Sequence, residues 1–350
     1  MKMPVMLGLG LAAGAPALAG QSAGDPQVLP ELTVNVTRGS DSLATLGASV
    51  SVVSGAAIMR GRVATGLDEA LAFVPGVVTA NRWNYSLDQR LSIRGAGARA
   101  NFGVRGIKII IDGVPQTLPD GQSQLTNLDL ATVERIEVLR GAASALEGNA
   151  AGGVIAFTTR SAPTRGHAVS AAVEQATFGL QRVQGMGASR WGALGGTLAV
   201  SRFRTDGFRQ HSAAEQRRAS LALDWAASSA TTITLRVAAA DDPRAQNPGA
   251  LTIAELSTRR DSASTGNVRR GADKDVAQQQ LALGARGNND ALGAWAITVY
   301  GLQRDLDNPL AAPPPRSASG DEGTFVAIDR AVVGARASLG RSLTTGSRAV

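Results

Sequence analysis

The chain has 350 residues, a formal net charge of +7, 4% aromatic residues and no cysteine. A chain without cysteine has neither disulfides nor thiolate metal sites. Arginine carries nearly all the positive charge, and it is scattered rather than grouped in basic runs. This scatter argues against nucleic acid as a partner and indicates arginines at strand ends and in surface loops.

Residues 1–19 have the pattern of a secretory signal peptide. A lysine precedes a short apolar run at 5–11, and residues 17–19 form a small-residue cleavage site. An uncleaved N-terminal helix is the alternative. No later stretch approaches the ~20 apolar residues that a spanning helix needs. If the mature protein crosses a membrane, it must do so as a closed β-barrel.

Residues 20–40 are predicted to be a flexible leader that holds one short strand. Leu32, Val34 and Val36 alternate with polar residues within the stretch 29–37. Alternation with a period of two is the pattern of a β-strand. We therefore expect an extended strand there, without a partner strand of its own.

Residues 41–160 are predicted to form one compact α+β domain. Ser54 is expected to cap a short helix, and Thr65 with Asp68 resembles a capping box for a second helix that Pro75 ends. The continuous apolar run 109–111 predicts a strand buried on both faces. The predicted strands of this domain are 48–53, 91–94, 106–111 and 135–139.

Residues 161–350 have a different pattern, in which apolar and polar residues alternate weakly over segments of about ten residues. Gly, Asn, Asp or Pro separate the segments, which is typical of transmembrane barrel strands. The predicted strands are 167–177, 180–190, 194–204, 216–226, 231–240, 276–286, 292–304 and 325–339. Polar loops are predicted at 241–275 and 305–324. A secreted β-sandwich shows similar alternation, so this half alone leaves both folds open.

Four motifs in the first half carry a family resemblance. They are Leu-Ser-Ile-Arg-Gly-Ala-Gly at 91–97, Lys-Ile-Ile-Ile-Asp-Gly-Val-Pro-Gln at 108–116, Val-Glu-Arg-Ile-Glu-Val-Leu-Arg-Gly at 133–141 and Gly-Asn-Ala-Ala-Gly-Gly-Val-Ile at 148–155. In order and spacing they resemble the plug domain of TonB-dependent outer-membrane receptors, and residues 29–37 resemble the TonB box ahead of it. The stretch 100–106 resembles an insertion of siderophore and iron-chelate receptors.

The resemblance implies an α+β plug domain followed by an antiparallel transmembrane β-barrel of ~22 strands, a large type whose lumen is blocked. Such a wall needs ~220 strand residues, so residues 161–350 would supply only about eight strands. The expected layout is a signal peptide at 1–19, a leader at 20–40, a plug at 41–160 and the first part of the barrel at 161–350. A piece of a longer receptor is favoured over a truncated, non-transporting remnant.

The function implied is import of a scarce, large solute, with a ferric siderophore or another iron chelate favoured. The implied partners are the energy-coupling protein TonB, which would bind residues 29–37, and outer-membrane lipid and lipopolysaccharide. A signal-transducing receptor is a weaker alternative, because such receptors carry an extra domain before the box. No enzyme activity, cofactor or metal site is expected, since His167 and His211 are far from any acid–serine arrangement.

The resemblance also assigns roles to individual residues. The TonB contact would be made by Glu31, Leu32, Thr33, Val34, Asn35 and Val36. The ligand-facing loops 81–89 and 116–124 would contribute Arg82, Trp83, Tyr85, Gln89, Gln116, Asp120 and Gln122. The charges that seat the plug against the barrel would be Arg94, Glu134, Glu137 and Arg140. Strand alternation places Glu137 opposite in facing to Ile136 and Val138, outside the domain core.

Overall fold

The structure, a computed structural model, describes residues 33–34, 41–42, 48–60, 62–80, 83–100, 103–141, 147–289, 293–311 and 323–340. Two short strands come first, β1 (Thr33–Val34) and β2 (Asp41–Ser42), and they pair antiparallel. An N-terminal domain and a large C-terminal sheet follow. Within the described residues, none of the helices has the length and apolar content that crossing a bilayer requires.

The N-terminal domain is built on a five-stranded sheet with small helices beside it. Its elements are β3 (Ser49–Ser54), α1 (Gly55–Met59), α2 (Leu67–Leu71), β4 (Val77–Ala80), β5 (Arg90–Ile93), β6 (Val104–Arg105), β7 (Ile107–Ile111), β8 (Val114–Pro115), β9 (Gln122–Ser123), a 3-10 turn (Leu130–Thr132), β10 (Val133–Arg140) and β11 (Gly153–Thr159). The strand order is β3-β10-β11-β7-β8, and only β11 and β7 pair in parallel.

The predicted burial of the apolar run in β7 on both faces is confirmed. Ile109 and Ile111 lie in the main core, whereas Ile110 lies in a smaller cluster on the other face of the sheet. Apolar side chains are therefore buried on both faces of this sheet. Its stability rests on apolar burial, which contributes roughly 25 cal/mol for each Å² removed from water.

The prediction for α1 is confirmed, and that for the start of α2 is wrong. Ser54 caps α1 by accepting a hydrogen bond from the backbone amide of Ala57. Helix α2 begins after Gly66 without a side-chain cap from that residue. The Glu69 carboxylate instead accepts the Thr65 backbone amide, and Gln89 accepts the amide of Leu67 at 2.8 Å. Glu69 thus satisfies the Thr65 amide that Asp68 was expected to satisfy, and Gln89, a residue distant in sequence, satisfies another amide at the start of the helix.

The Gly-Gly pair in the last of the four motifs has a steric reason. Gly153 has a φ of +140°, and a Cβ there would lie 2.1 Å from the carbonyl oxygen of Leu139. Only glycine allows this backbone conformation together with such a close approach. The motif therefore fixes how tightly β11 pairs with β10.

The C-terminal sheet has eight antiparallel strands in sequential order. They are β12 (His167–Gln175), β13 (Gln181–Trp191), β14 (Leu194–Thr205), β15 (Ala214–Ser228), β16 (Thr231–Ala245), β17 (Asp275–Asn289), β18 (Gly293–Leu310) and β19 (Thr324–Gly340). All eight predicted strands are present, and β12 and β19 are the edges of the described sheet.

The segment 241–275 is a long polar connection as predicted, but its loop begins later and holds two helices. Strand β16 continues to Ala245, and two helices follow, α3 (Ile253–Thr258) and α4 (Thr265–Arg269). Thr252 and Glu255 form a reciprocal capping box at the start of α3. In the other predicted loop, β18 extends to Leu310, and residues 312–322 lie outside the described residues.

One face of the C-terminal sheet, called the outer face, points away from the N-terminal domain and is apolar over much of its height. Three of the four tryptophans, Trp191, Trp225 and Trp295, lie on it near the short-turn end. Charged side chains such as Arg217 and Asp305 lie on it toward the other end. From Trp295 to Asp305, ten residues at ~3.4 Å and a tilt of ~40° span roughly 26 Å, the height of the lipid-facing band of outer-membrane barrels.

Candidate functional site between the N-terminal domain and the sheet

The opposite face of the C-terminal sheet, called the inner face, holds the N-terminal domain through polar contacts. Its strands present long basic and amide side chains at positions that alternate with the outer-face residues. The inner-face side chains that bond the domain are Arg182, Ser201, Arg236, Lys274, Gln280, Arg304, Arg330 and Arg336. This interface is the candidate functional site, because it decides how firmly the domain is held.

Arg182 of β13 is the most deeply buried of these contacts and joins two segments of the domain. Its guanidinium is 2.7 Å from an Asp129 carboxylate oxygen and donates to the backbone carbonyls of Val63 and Ala64. The Ser201 hydroxyl donates to the other Asp129 oxygen at 2.6 Å. Arg182 is only 4% exposed, so both charges of the pair are largely removed from water.

A second contact group lies on β17 and β18. Arg304 is 6% exposed and donates to the Thr126 hydroxyl at 2.6 Å and to Gln278 at 2.8 Å. Gln280 accepts a hydrogen bond from Gln116 at 2.8 Å. The domain segment around residues 116–129 is therefore held from both sides, by β13–β14 and by β17–β18.

Among the described residues, the ion pairs across the interface share one polarity. In each of them the acid belongs to the N-terminal domain and the base to the sheet. The further pairs are Asp88–Lys274 at 3.4 Å, Asp120–Arg330 at 3.1 Å, Glu147–Arg336 at 2.8 Å and Asp112–Arg236 at 3.7 Å. Burial would raise the pKa of Asp88, but Lys274, Arg304 and the Gly103 amide together hold it below its usual value.

One end of the domain lies against the long loops of the sheet. The Asn84 amide donates to the side chain of Asn247 at 3.0 Å, and the Tyr85 ring packs on Phe203 with centroids 5.1 Å apart. In the loop from 206 to 213, the Arg209 guanidinium donates to the carbonyls of Ser262, Gly249 and Pro248. This arrangement ties the two loops to each other and to the domain.

The contact between Tyr85 and Phe203 gives a testable titration. Burial, followed by the Glu69 and Asp68 carboxylates, raises the pKa of Tyr85 to about 12. Its stabilising contribution is present below its unfolded pKa of ~10 and is lost as the pH rises through about 12. Tyr300→Phe leaves Tyr85 as the single tyrosine, so tyrosinate absorbance should show a midpoint of about 12 when folded and ~10 in denaturant. A folded midpoint equal to the denatured one would contradict this burial.

The predicted ligand-facing residues lie in two different environments. Arg82 lies outside the described residues, and Trp83 is 67% exposed. Gln89 caps α2 and also donates to Asp68, so its amide is used inside the domain. Their role in ligand binding stays a prediction.

The residues predicted in the second loop already have partners within the protein, although Asp120 is exposed. Gln116 is 1% exposed and bonds Gln280 of the sheet. Asp120 pairs with Arg330 and also accepts the backbone amide of Gln122. Any ligand contact by these side chains would compete with their present hydrogen bonds.

A double-mutant cycle separates the two roles of Gln116. The alanine variants of Gln116 and Gln280 should show a coupling free energy of about 1 kcal/mol, because their hydrogen bond crosses a buried interface. The readout is the labelling rate of a single cysteine introduced at Ala70, which is 5% exposed in the domain core. If Gln116→Ala weakens chelate binding and leaves Ala70→Cys labelling unchanged, the ligand-facing role is supported instead.

The predicted seating charges make contacts inside the N-terminal domain. Arg140 donates to the hydroxyls of Ser49 and Ser51 in β3. Glu137 lies on the predicted face but is buried, at 1% exposure, and pairs with Arg135 at 2.8 Å. The expectation that it faces away from the main core is confirmed, since Ile136 and Val138 lie in that core and Glu137 does not, and its role in seating stays a prediction.

The two other seating candidates are exposed. Glu134 lies at the bulge between Val133 and Arg135 in β10. Arg94 has a φ of +48° and donates its backbone amide to the carbonyl of Gly76. The acids Asp112 and Asp129, which sequence reasoning missed, contact the sheet instead. The only feature of the sequence that could have indicated these two contacts is the position of each acid next to a turn.

Only part of the predicted TonB box lies in the described residues. Thr33 pairs with Ser42 and Val34 with Asp41, so this strand has a partner in the chain, contrary to the expectation of an unpaired strand. Glu31, Leu32, Asn35 and Val36 lie outside the described residues.

A cavity lies between the domain and the inner face of β14–β16. It is small, with about 50 Å³ of space that water-sized molecules can occupy, and Asp112, Asp129 and Thr159 border it from the domain. Ala199, Ser220, Ala222 and Ala238 border it from the sheet. Among the described residues there is no group of three or more His, Asp or Glu side chains that could hold a metal ion.

The N-terminal domain has known relatives. Residues 42–154 match the family described as TonB-dependent Receptor Plug Domain. The hemin receptor of Yersinia pestis is 37% identical over 111 residues, which are 31% of this chain and 15% of that protein. The hemin receptor of Yersinia enterocolitica is 32% identical over 97 residues, 27% of this chain and 13% of that protein. The matched stretch is thus a small part of each curated relative.

Solved structures are similar to the domain and the sheet together. The ferric yersiniabactin uptake receptor FyuA from Yersinia pestis has a TM-score of 0.65 at 17% identity, over 85% of this chain and 46% of its own. The siderophore receptor PiuA from Acinetobacter baumannii has a TM-score of 0.64 at 20% identity, over 87% of this chain and 44% of its own. The copper transporter OprC has a TM-score of 0.62 at 17% identity, over 83% of this chain and 43% of its own. At these identities the likeness establishes the fold alone, and the chain spans less than half the length of each.

Proposed function

Because this chain carries a TonB-dependent receptor plug domain followed by eight strands with the fold of the receptor barrel wall, we propose that the protein imports a scarce iron chelate across the outer membrane. The plug would block the lumen at rest. Coupling to TonB would move it and let the chelate pass.

The polar interface between plug and wall carries this proposal. The plug has its own apolar core, while its described bonds to the wall are ion pairs and hydrogen bonds. Polar interfaces of this kind resemble those between domains that move relative to each other. Water can replace such bonds when the plug moves, whereas exposing a shared apolar core would cost far more.

An iron chelate is the solute that the relatives favour. Two plug-domain relatives are hemin receptors, and the similar structures include siderophore receptors. In this proposal Arg82, Trp83, Tyr85 and Gln89 lie on the ligand side. Arginine supplies hydrogen bonds to anionic groups of a chelate, and aromatic rings supply flat apolar contact.

The proposed partner for energy is TonB, acting on residues 29–37. An extended segment can be captured by addition to the edge of another protein's sheet, with main-chain hydrogen bonds giving affinity. The pairing of β1 with β2 would have to be exchanged for that contact. The apolar outer face would contact membrane lipid, and the charged residues above it would contact lipopolysaccharide.

Growth and uptake measurements test the function. Deleting the gene in its host should reduce growth on at least one ferric siderophore or on hemin as the iron source, and a plasmid copy should restore growth. Uptake of radioactive iron from that chelate should also stop when a protonophore removes the proton gradient. If deletion changes uptake of no iron chelate, the proposed function is wrong.

A further inference from the structure

The wall does not hold the plug evenly around the interface. On one side, Arg182 and Ser201 of β13–β14 bond Asp129 with both partners buried. On the other side, Gln280 and Arg304 of β17–β18 bond the segment 116–127, and Arg330 and Arg336 of β19 add two ion pairs. Strands β15 and β16 lie between these two regions.

The charged inner-face residues of β15–β16 pair within the wall itself. Arg218 forms two hydrogen bonds to Asp242, and Arg236 bonds Asp224 at 2.7 Å. The only described ion pair from these two strands to the plug is Arg236 with Asp112, at 3.7 Å. The Asp112 carboxylate is already hydrogen-bonded to Thr159 of the plug at 2.6 and 2.8 Å. Separating plug and wall here would leave nearly all these bonds intact.

The same sector also has a small cavity and several small side chains on the wall. The cavity lies against it, bordered from the wall by Ser220, Ala222 and Ala238 as well as by Arg218 and Arg236. On β17 and β18, by contrast, Gln280 and Arg304 form hydrogen bonds to the plug, and Gln278 accepts a further hydrogen bond from Arg304. Within the described interface, the Nε–H of Arg236 has no hydrogen-bond acceptor and borders the cavity.

We propose that the imported solute passes between the plug and the inner face of β15–β16, and that the plug separates from the wall there while β13–β14 and β17–β18 still hold it. This inference rests on the proposed import function. The Arg236 guanidinium would offer its open donor to an anionic group of the passing chelate. The sector opens because its separation breaks fewer described bonds than separation at β13–β14 or at β17–β18 would break.

Single cysteines test the route, since the natural chain has none. Ser220→Cys and Ala238→Cys lie opposite each other in register on the inner face of β15 and β16. Ala282→Cys is the matched control, because it lies on the inner face of β17 and is 2% exposed. A membrane-impermeant maleimide is added to cells that carry the receptor and are supplied with hemin or ferric enterobactin. Iron uptake is measured in the same cells, with and without a protonophore.

The maleimide should label the two route cysteines about tenfold faster in energised cells than in de-energised cells. A rise of this size is expected when an open state populated at ~10% or less becomes the dominant state. Ala282→Cys should label slowly in both. Equal acceleration at Ala282→Cys, or none at either route position while iron is taken up, overturns the route. If receptor-bearing cells take up iron from neither chelate and from no other iron source, the proposed function fails and the route fails with it.

Discussion

Arg182→Met is expected to loosen the plug by about 3 kcal/mol or more, because it leaves the buried Asp129 carboxylate without its charged partner. Methionine keeps much of the side-chain volume, so the loss reports charge and hydrogen bonds rather than a cavity. The backbone carbonyls of Val63 and Ala64 lose their donor in the same substitution. The segment before α2 and the segment around the 3-10 turn would then both detach from the wall.

The measurement is the labelling rate of Ala70→Cys in the receptor in outer-membrane preparations. Arg202→Met is the matched control, because Arg202 pairs with Glu215 on the outer face and its side chain is 56% exposed. An exposed pair contributes ~0–1 kcal/mol, so the control should hardly change the rate. If the two variants label alike, the Arg182 contact does not hold the plug.

The strands were predictable because their signals are local. The prediction of β14 at 194–204 differs by one residue from the observed strand, and β16 begins where predicted, at Thr231. Alternation with a period of two and turns rich in Gly, Asn and Asp are both read within about ten residues. These signals need no knowledge of what packs against the sheet.

The contacts of the candidate site could not be read in this way. Asp129 and Arg182 are separated by 53 residues and Gln116 and Gln280 by 164, so no local pattern links them. For Glu137, alternation predicted the face correctly, but its exposure of 1% depends on neighbours that are distant in sequence. Tertiary neighbours decide both the partner and the exposure of such side chains.

The scattered arginines had a structural role that composition did not show. Arg182 lies near a strand end, as predicted, whereas Arg236 and Arg304 lie within strands on the inner face. A guanidinium has five donors in a fixed plane, so one residue can bond several segments at once. In a chain with only three lysines, arginine supplies nearly all of the cationic contacts between wall and plug.

Val34→Pro is expected to reduce TonB-dependent iron uptake at least about tenfold, since proline removes the backbone donor at the centre of the proposed box and one main-chain hydrogen bond contributes ~1 kcal/mol or more. Val34 is paired with Asp41 in the structure. The substitution therefore weakens this pairing as well as the strand addition to TonB. Two measurements are made on intact cells, the uptake of iron and the binding of the chelate to the cell surface. A loss of uptake with normal binding would show that coupling to TonB is impaired and ligand recognition is not.

Val34→Ala is the control, because it shortens the side chain and keeps the N–H group. If main-chain bonds give the contact its affinity, the alanine variant should import at nearly the natural rate, and both variants should bind the chelate equally. Equal loss in the two variants would assign the contact to the valine side chain. Normal uptake by Val34→Pro would mean that TonB binds elsewhere, and the pairing of β1 with β2 would then be a structural feature of the leader rather than a rest position for the box.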